Sequence, residues 1–298
     1  MQTIAISGAS GLVGTALSAL LRQRGARVRP LVRPGKQAQD GISWDPAGGA
    51  VDLASLEGLD ALVHLAGDGI ADARWTAAKK ARIKDSRVRG TAVLASALAL
   101  LARPPKVWLS CSGVGYYGDR GADEVDETGP VGRDFLAQVC LAWEAAAEPA
   151  QALGVRVVHP RLGVVLTPHG GALQKMLLPF KLGVGGKVGA GTQGMSWISL
   201  HDTVRALVQM IDHDALRGPV NVAAPASVTN AEFTRALGRA LHRPTVFPVP
   251  GALARLAFGE LADAALLSGV RAVPRKLLAS GFRFEDPELV PYLTRALA

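Results

Sequence analysis

Gly8-Ala9-Ser10-Gly11-Leu12-Val13-Gly14 is the stretch whose reading decides the fold. Before it runs Thr3–Ser7 (TIAIS), a short apolar segment bounded by glycine, which reads as a buried strand. After it, Leu12, Ala16, Leu20 and Leu21 recur at helical spacing through Gly11–Arg24, and Gly25 stops the run. The glycine spacing is GxxGxxG, set between a strand and its helix. In that setting each glycine has a task. Gly8 permits the tight turn, Gly11 lets backbone amides approach a pyrophosphate, and Gly14 lets helix and strand pack closely. The helix N-terminus then presents the positive end of its dipole. Ser10, Leu12 and Val13 complete the expected nucleotide-binding turn.

Outward from this turn, strands and helices alternate. Arg27–Val32 reads as a strand ended by Pro34-Gly35, and Ala61–Ala66 (ALVHLA) as another buried one. Lys79–Ala102 reads as a long helix closed by Pro104-Pro105, Lys106–Ser110 as a strand, Phe135–Leu153 as a helix and Val155–Val158 as a strand. This rhythm predicts right-handed βαβ units, hence an α/β fold with a Rossmann-type, doubly wound parallel sheet covered on both faces. After Pro160 the rhythm changes. Leu173–Leu182 and His201–Asp212 read as helices, Ser196–Ser199 (SWIS) and Val220–Ala223 as short extended runs. Asp202 reads as an N-cap. Thr229 and Glu232 form a capping box that starts a helix running to His242. The expected division is a nucleotide-binding domain over 1–165, to which 196–225 returns, and a smaller C-terminal α/β substrate or cap domain over 166–298.

Composition sets the outer limits. With 298 residues, 49% hydrophobic and only 19% charged, the chain can bury a large core, which excludes intrinsic disorder; 34 glycines without a period exclude collagen. The two cysteines, Cys111 and Cys140, lie in apolar runs and form neither a disulfide scaffold nor a metal-ligand pair. The six histidines are not paired at ligand spacing, so no metal is expected. The longest apolar stretch, around Ala92–Ala102, is shorter than the ~20 residues a spanning helix needs. Met1 is followed almost at once by a strand, with no charged n-region or cleavage site. These features predict a soluble, cytoplasmic protein. The net charge of +8 is spread over dispersed arginines without interleaved aromatics, which make up 5%. Neither nucleic acid nor a membrane surface is therefore the expected partner. A small molecule is.

The choice of cofactor rests on the residues just past the second strand. Sites selective for NAD place Asp or Glu there, against the ribose 2′-hydroxyl. This chain reads Leu31-Val32-Arg33-Pro34. A carboxylate would repel a 2′-phosphate, and a guanidinium binds one bidentately. Arg33 thus predicts NADP(H). His64-Leu65-Ala66-Gly67 ends the next buried strand, where adenosine and ribose pass. There His64 reads as a packed strand residue and Gly67 as the position where a side chain would block the nucleotide, with Leu65 and Ala66 beside it.

These residues resemble the extended short-chain dehydrogenase/reductases, the superfamily of UDP-sugar epimerases. The likeness rests on GASGLVG, the VHLAG strand end, Ser110-Cys111-Ser112 leading to Tyr116-Tyr117-Gly118, and SWISLHD at 196–202. More narrowly, the chain is similar to an atypical "epimerase family" subgroup of nucleoside-diphosphate-sugar epimerase-like proteins. That subgroup carries WDP (Trp44-Asp45-Pro46), a run from Arg74-Trp75-Thr76 through Thr91, SxSxxGYYG (Ser110–Gly118), PRxGxVL (Pro160–Leu166) and a small C-terminal domain ending here in Pro274 through Phe284. The resemblance implies a cofactor-binding, enzyme-like protein with an unassigned reaction. It also implies that Pro160 and Arg161 border the cofactor and that Ser112 orients the substrate.

One departure matters. Ordinary members use a Tyr-x-x-x-Lys pair on the helix after the fifth strand, the ammonium lowering a phenol pKa of ~10 toward the working pH. Here that helix reads Asp134-Phe135-Leu136-Ala137-Gln138-Val139-Cys140-Leu141-Ala142-Trp143-Glu144, with neither residue. Tyr116 and Arg120 have the spacing, but Gly118 stands between them. Where relatives often carry an asparagine before V-x-G-T, this chain has Arg87. Two accounts are open. In one the chain is an oxidoreductase or epimerase with a displaced proton donor, Tyr116 or Tyr117, and with Trp75, Arg87, Lys175 and Trp197 lining a pocket for an anionic substrate or nucleotide sugar. In the other it is a non-catalytic NADP(H)-dependent sensor or regulator.

Overall fold

The computed structural model describes residues 1–298. In chain order its elements begin with β1 (Thr3–Ser7), α1 (Leu12–Gln23), β2 (Arg27–Val32), β3 (Ile42–Asp45), β4 (Ala50–Val51), α2 (Leu53–Leu56), β5 (Ala61–His64) and α3 (Ala77–Leu98). They continue with β6 (Val107–Ser110), β7 (Ser112–Gly113), β8 (Glu124–Val125), α4 (Phe135–Ala147), β9 (Arg156–Leu162), β10 (Val164–Thr167), α5 (Gly171–Lys181), β11 (Gly194–Met195) and β12 (Trp197–Ser199). Last come α6 (Leu200–Asp212), β13 (Gly218–Val222), β14 (Val228–Thr229), α7 (Asn230–Ala240), α8 (Gly251–Phe258), β15 (Arg271–Ala272), α9 (Arg275–Ala279) and α10 (Leu289–Ala296).

The main sheet runs β13-β9-β6-β5-β1-β2-β3-β4, parallel throughout except for the terminal β3–β4 pair. Its strands are buried on both faces, as the continuous apolar runs require. Ile4 and Ile6 of β1 join Leu17 and Leu21 of α1 and Val204 and Leu207 of α6 in a core of 22 residues on one face. Ala5 points the other way, into a core of 16 with Leu94 and Leu98 of α3 and Trp108 of β6. The strand order reverses between β1 and β5, because β3 lies at the far edge and the chain must cross back. In such sheets ligands bind in the crevice beyond the carboxyl ends at that switch point. The glycine turn follows β1, and Gly67 follows β5.

Several local expectations are corrected. β3 is a strand that no sequence pattern announced; Trp44 on it is buried against Gly90 of α3. α4 ends at Ala147 rather than Leu153, because Pro149 tightens the next turn to 3-10 geometry. α6 is capped by the Ser199 hydroxyl, not by Asp202. Asp202 is fully buried and accepts the backbone N–H groups of Glu285 and Asp286 and the Arg205 guanidinium.

The later chain does return to the sheet. β13 pairs with β9, and α6 lies on the α1 face beside the main core. Residues beyond 225 also reach it, since Leu277 and Phe282 belong to the same core; β15 pairs with β8 in a separate two-stranded sheet. A third core, of 11 residues, joins Leu173 and Phe180 of α5, Phe233 and Leu237 of α7, Leu289, Tyr292 and Leu293 of α10, and Trp197. No helix is long and apolar enough to cross a membrane.

Candidate functional site

The turn after β1 has the geometry its glycines imply. Gly8 sits at φ +69, and a Cβ there would lie 3.0 Å from the Leu65 carbonyl carbon and the Ala66 nitrogen. A Cβ on Gly14 would stand 2.2 Å from the Gly8 carbonyl oxygen, so only glycine lets α1 pack this close. The Gly11 N–H donates to the Gly8 carbonyl at 3.0 Å. α1 then starts with no side-chain cap and no acidic residue in its first turn. The amides of Leu12, Val13 and Gly14 are consequently orphan donors at the positive end of the helix dipole, which is an anion site. Ser10 lies exposed on the same turn. The His169–Gly171 turn closes over it: a Cβ on Gly170 would meet Leu12 at 2.8 Å.

Ser7, which the sequence did not single out, ties the two strand ends together. Its hydroxyl accepts from the Leu65 and Ala66 amides at 3.2 and 3.3 Å and donates to Nδ1 of His64 at 2.6 Å. The other ring nitrogen, Nε2, is buried without a partner. Burial, reinforced by the Arg87 charge, pushes its pKa down to about 3. Trp44 and Trp143 flank the imidazole edge-on at 5.6 and 6.3 Å. His64 is a structural residue.

At the end of β2, Arg33 differs from the strand's other arginines. Arg27 is paired with Asp40 at 2.6 Å and Arg29 with the Ser55 carbonyl at 2.6 Å. Arg33 is exposed and its guanidinium has no partner in the protein. At the end of β5, the Arg87 guanidinium lies against Gly67, where a Cβ would be 3.0 Å from its central carbon. Its Nη1 donates to the Asp68 and Ile83 carbonyls at 2.9 and 3.0 Å, and it covers the Trp143 ring at 5.1 Å. Gly67 thus makes room for Arg87.

Ser112 is buried beyond the end of β6, and its hydroxyl is sealed from solvent. The Cys140 thiol of α4 lies against it, pushed up in pKa chiefly by burial and so held as a neutral thiol. Tyr116 is half-buried with its ring beneath the Arg161 guanidinium at 3.5 Å. Tyr117 is placed differently. It is fully buried, donates to Asn221 Oδ1 at 2.7 Å and accepts from Arg161 Nη1 at 3.0 Å. Burial raises its pKa to about 12. A phenol this committed is no proton donor, which corrects the expectation for Tyr117.

Further expectations are corrected. Arg161 does not face the cofactor crevice: it is buried and bonded bidentately to Glu144 at 2.8 Å through both nitrogens. Its neighbour Pro160 is equally buried in β9, opposite Val220 of β13. Trp197 is fully buried, stacked on Tyr292 at 5.5 Å with its indole N–H donated to the Ala226 carbonyl, and lines no pocket. Trp75 is also buried, its indole N–H on the Ile70 carbonyl and its ring against Phe135. Lys175 is exposed on α5 and reaches the Ala71 carbonyl and Asp72 across the mouth of the crevice. Of the expected pocket residues, Arg87 alone stands beside Gly67 at the strand ends. Ser7 and Glu144 carried no local signal, since their partners lie 57 and 17 residues away.

Comparison with known proteins agrees with this geometry. Residues 4–223 match the model of the NAD dependent epimerase/dehydratase family. The chain belongs to that family. As an epimerase/dehydratase relative it also carries, over residues 249–296, a match to a domain of unknown function. It is 47% identical over 281 residues to an epimerase family protein of Mycobacterium bovis, covering 94% of this chain and 93% of that one. It is 40% identical to bovine epimerase family protein SDR39U1 over 99% of both chains. Among solved structures, human epimerase family protein SDR39U1 with NADPH superimposes with a TM-score of 0.90 at 36% identity, covering 99% of each chain.

Proposed function

We propose that this epimerase/dehydratase family chain binds NADP(H) at the β1–α1 turn and acts as an oxidoreductase or nucleotide-sugar epimerase on a small anionic carbonyl or alcohol. The observation that carries the reading is the uncapped first turn of α1, three orphan amides behind the glycine turn at the sheet's switch point. The unpartnered Arg33 at the end of the neighbouring strand supports the phosphorylated cofactor, and the NADPH held by the human relative agrees with it. The Leu12, Val13 and Gly14 amides would hold the diphosphate, and Arg33 the 2′-phosphate. The nicotinamide, when bound, supplies hydride exchange. Ser112, beyond the end of β6, would orient the substrate oxygen, and Tyr116, whose phenol is not committed as that of Tyr117 is, would hold the proton.

Paired fluorescence titrations with NADPH and NADH test this. NADPH should bind at least tenfold tighter than NADH. Arg33→Glu should remove that preference by weakening NADPH alone, since a lost charge-assisted pair is worth about 1.5–3 kcal/mol. No binding of either nucleotide, or an unchanged preference in Arg33→Glu, refutes the assignment. A second reading, an NADP(H)-dependent sensor, is favoured by α4, which carries no Tyr–Lys pair. Tight binding with no NADPH turnover across nucleotide sugars and small carbonyls would select it.

A further inference from the structure

A guanidinium carries five N–H donors in a fixed plane. In Arg87, Nη1 spends both of its donors, on the Asp68 and Ile83 carbonyls. The opposite edge, Nε and Nη2, bonds to nothing in the protein, yet these atoms are not sealed from solvent. No carboxylate bonds to the guanidinium: Asp85 faces Arg89 at 3.5 Å, and Asp68 is held by Lys79 Nζ at 2.6 Å. Burial lowers the Arg87 pKa below the usual arginine value, outweighing the opposing attraction of Cys140 and Asp68.

The guanidinium cannot swing away to find a carboxylate. The Trp143 ring covers one face at 5.1 Å, and the Gly67 backbone lies close against the group. What remains without a partner is the Nε–Nη2 fork, whose two parallel N–H donors match a planar, two-oxygen anion. The fork lies beyond the carboxyl end of β5, one strand from the Ser112 hydroxyl beyond β6, and the Cys140 thiol lies against that hydroxyl within the field of Arg87.

We propose that the Nε–Nη2 edge of Arg87 binds a carboxylate, so that the substrate of this site is a carbonyl compound, or the corresponding alcohol, that carries a carboxylate. The proposal rests on reading the same crevice as the NADP(H) site. A cofactor phosphate offers the same oxyanion chemistry, and the test separates the two sources.

Oxalate is the probe. Calorimetric titration of the NADP+-saturated protein should show oxalate binding that weakens with salt and at least tenfold in Arg87→Gln. NADPH affinity in that variant should stay within threefold of wild type. Arg87→Lys, which keeps the charge and loses the fork, should fall between. A second measurement needs no variant: phenylglyoxal modification mapped by mass spectrometry should show Arg87 protected by oxalate and not by NADP+. Failure of oxalate to bind or protect, or binding that survives in Arg87→Gln, overturns the proposal. So does a tenfold loss of NADPH affinity in Arg87→Gln, or protection by NADP+ alone, which would give the fork to the cofactor. Wild-type protein that binds no NADPH would refute the cofactor reading alone, because oxalate protection of Arg87 is also read without nucleotide.

Discussion

At the scale of single residues, the charges of the crevice are sorted by whether the protein supplies a partner. Arg161 is fully committed to Glu144 and Tyr117, whereas Arg33 has no partner and Arg87 keeps one edge free. His64 lies among them as a buried neutral base, and that has a pH consequence with a definite sign. Its folded pKa, about 3, lies below the ordinary 6.5, so the unfolded chain takes up a proton that the folded one refuses. Above pH 6.5 the group is neutral in both states and contributes nothing. As pH falls from 6.5 toward 3, stability is lost at about 1.4 kcal/mol per unit. Urea unfolding of wild type and His64→Asn should therefore show a stability gap that narrows by about 2 kcal/mol between pH 7 and pH 5. A gap that stays constant would mean His64 is protonated in the fold.

Elements differ in how much of their placing is local. The strand–turn–helix of β1 and α1 was legible because every constraint lies within about twenty residues: the apolar run, the glycines whose missing Cβ atoms the turn needs, and the helical spacing that follows. β3 was not. Its four residues ISWD offer too short a pattern, and its place at the sheet edge is set by pairing with β2 and by Trp44 packing on α3. The role of Arg161 was hidden for a similar reason. The PRxGxVL run marks an arginine near the strand ends, but its carboxylate partner sits on α4, so the sequence alone could not tell a structural ion pair from a cofactor contact. That pair ties α4 to β9, and with Tyr117 and Asn221 it extends to β13. Glu144→Gln leaves a buried guanidinium facing a neutral group and should cost about 3–5 kcal/mol. Tyr117→Phe strands one acceptor and one donor and should cost about 1–3 kcal/mol. Denaturant midpoints of the two variants measure this. A near-neutral Glu144→Gln would show that Arg161 finds another partner.

For the whole molecule, the decisive fact is how the last fifty residues are joined to the sheet. A boundary near 165 follows from the change in rhythm after Pro160, and the terminal chain packs back across it. Leu277 and Phe282 complete the core under the α1 face, β15 continues β8, Tyr292 stacks on the fully buried Trp197, and the amides of Glu285 and Asp286 neutralise Asp202. None of these contacts is local, and each joins a residue before 225 to one after 249. Truncating a buried Leu or Phe costs about 2–5 kcal/mol, and a domain's net stability is about 5–15 kcal/mol. Loss of Leu277, Phe282 and Tyr292 together is thus of the order of the whole, before the two backbone hydrogen bonds lost at buried Asp202 are counted. A chain ending at residue 248 should have no cooperative thermal transition and no NADPH affinity, although it contains the glycine turn, Arg33, Arg87 and Ser112. Circular dichroism melting and NADPH titration of that chain decide the point. A cooperative transition near the wild-type midpoint, with NADPH still bound, would make the C-terminal segment an accessory to a self-sufficient sheet; its loss would make that segment part of the scaffold that holds the crevice open.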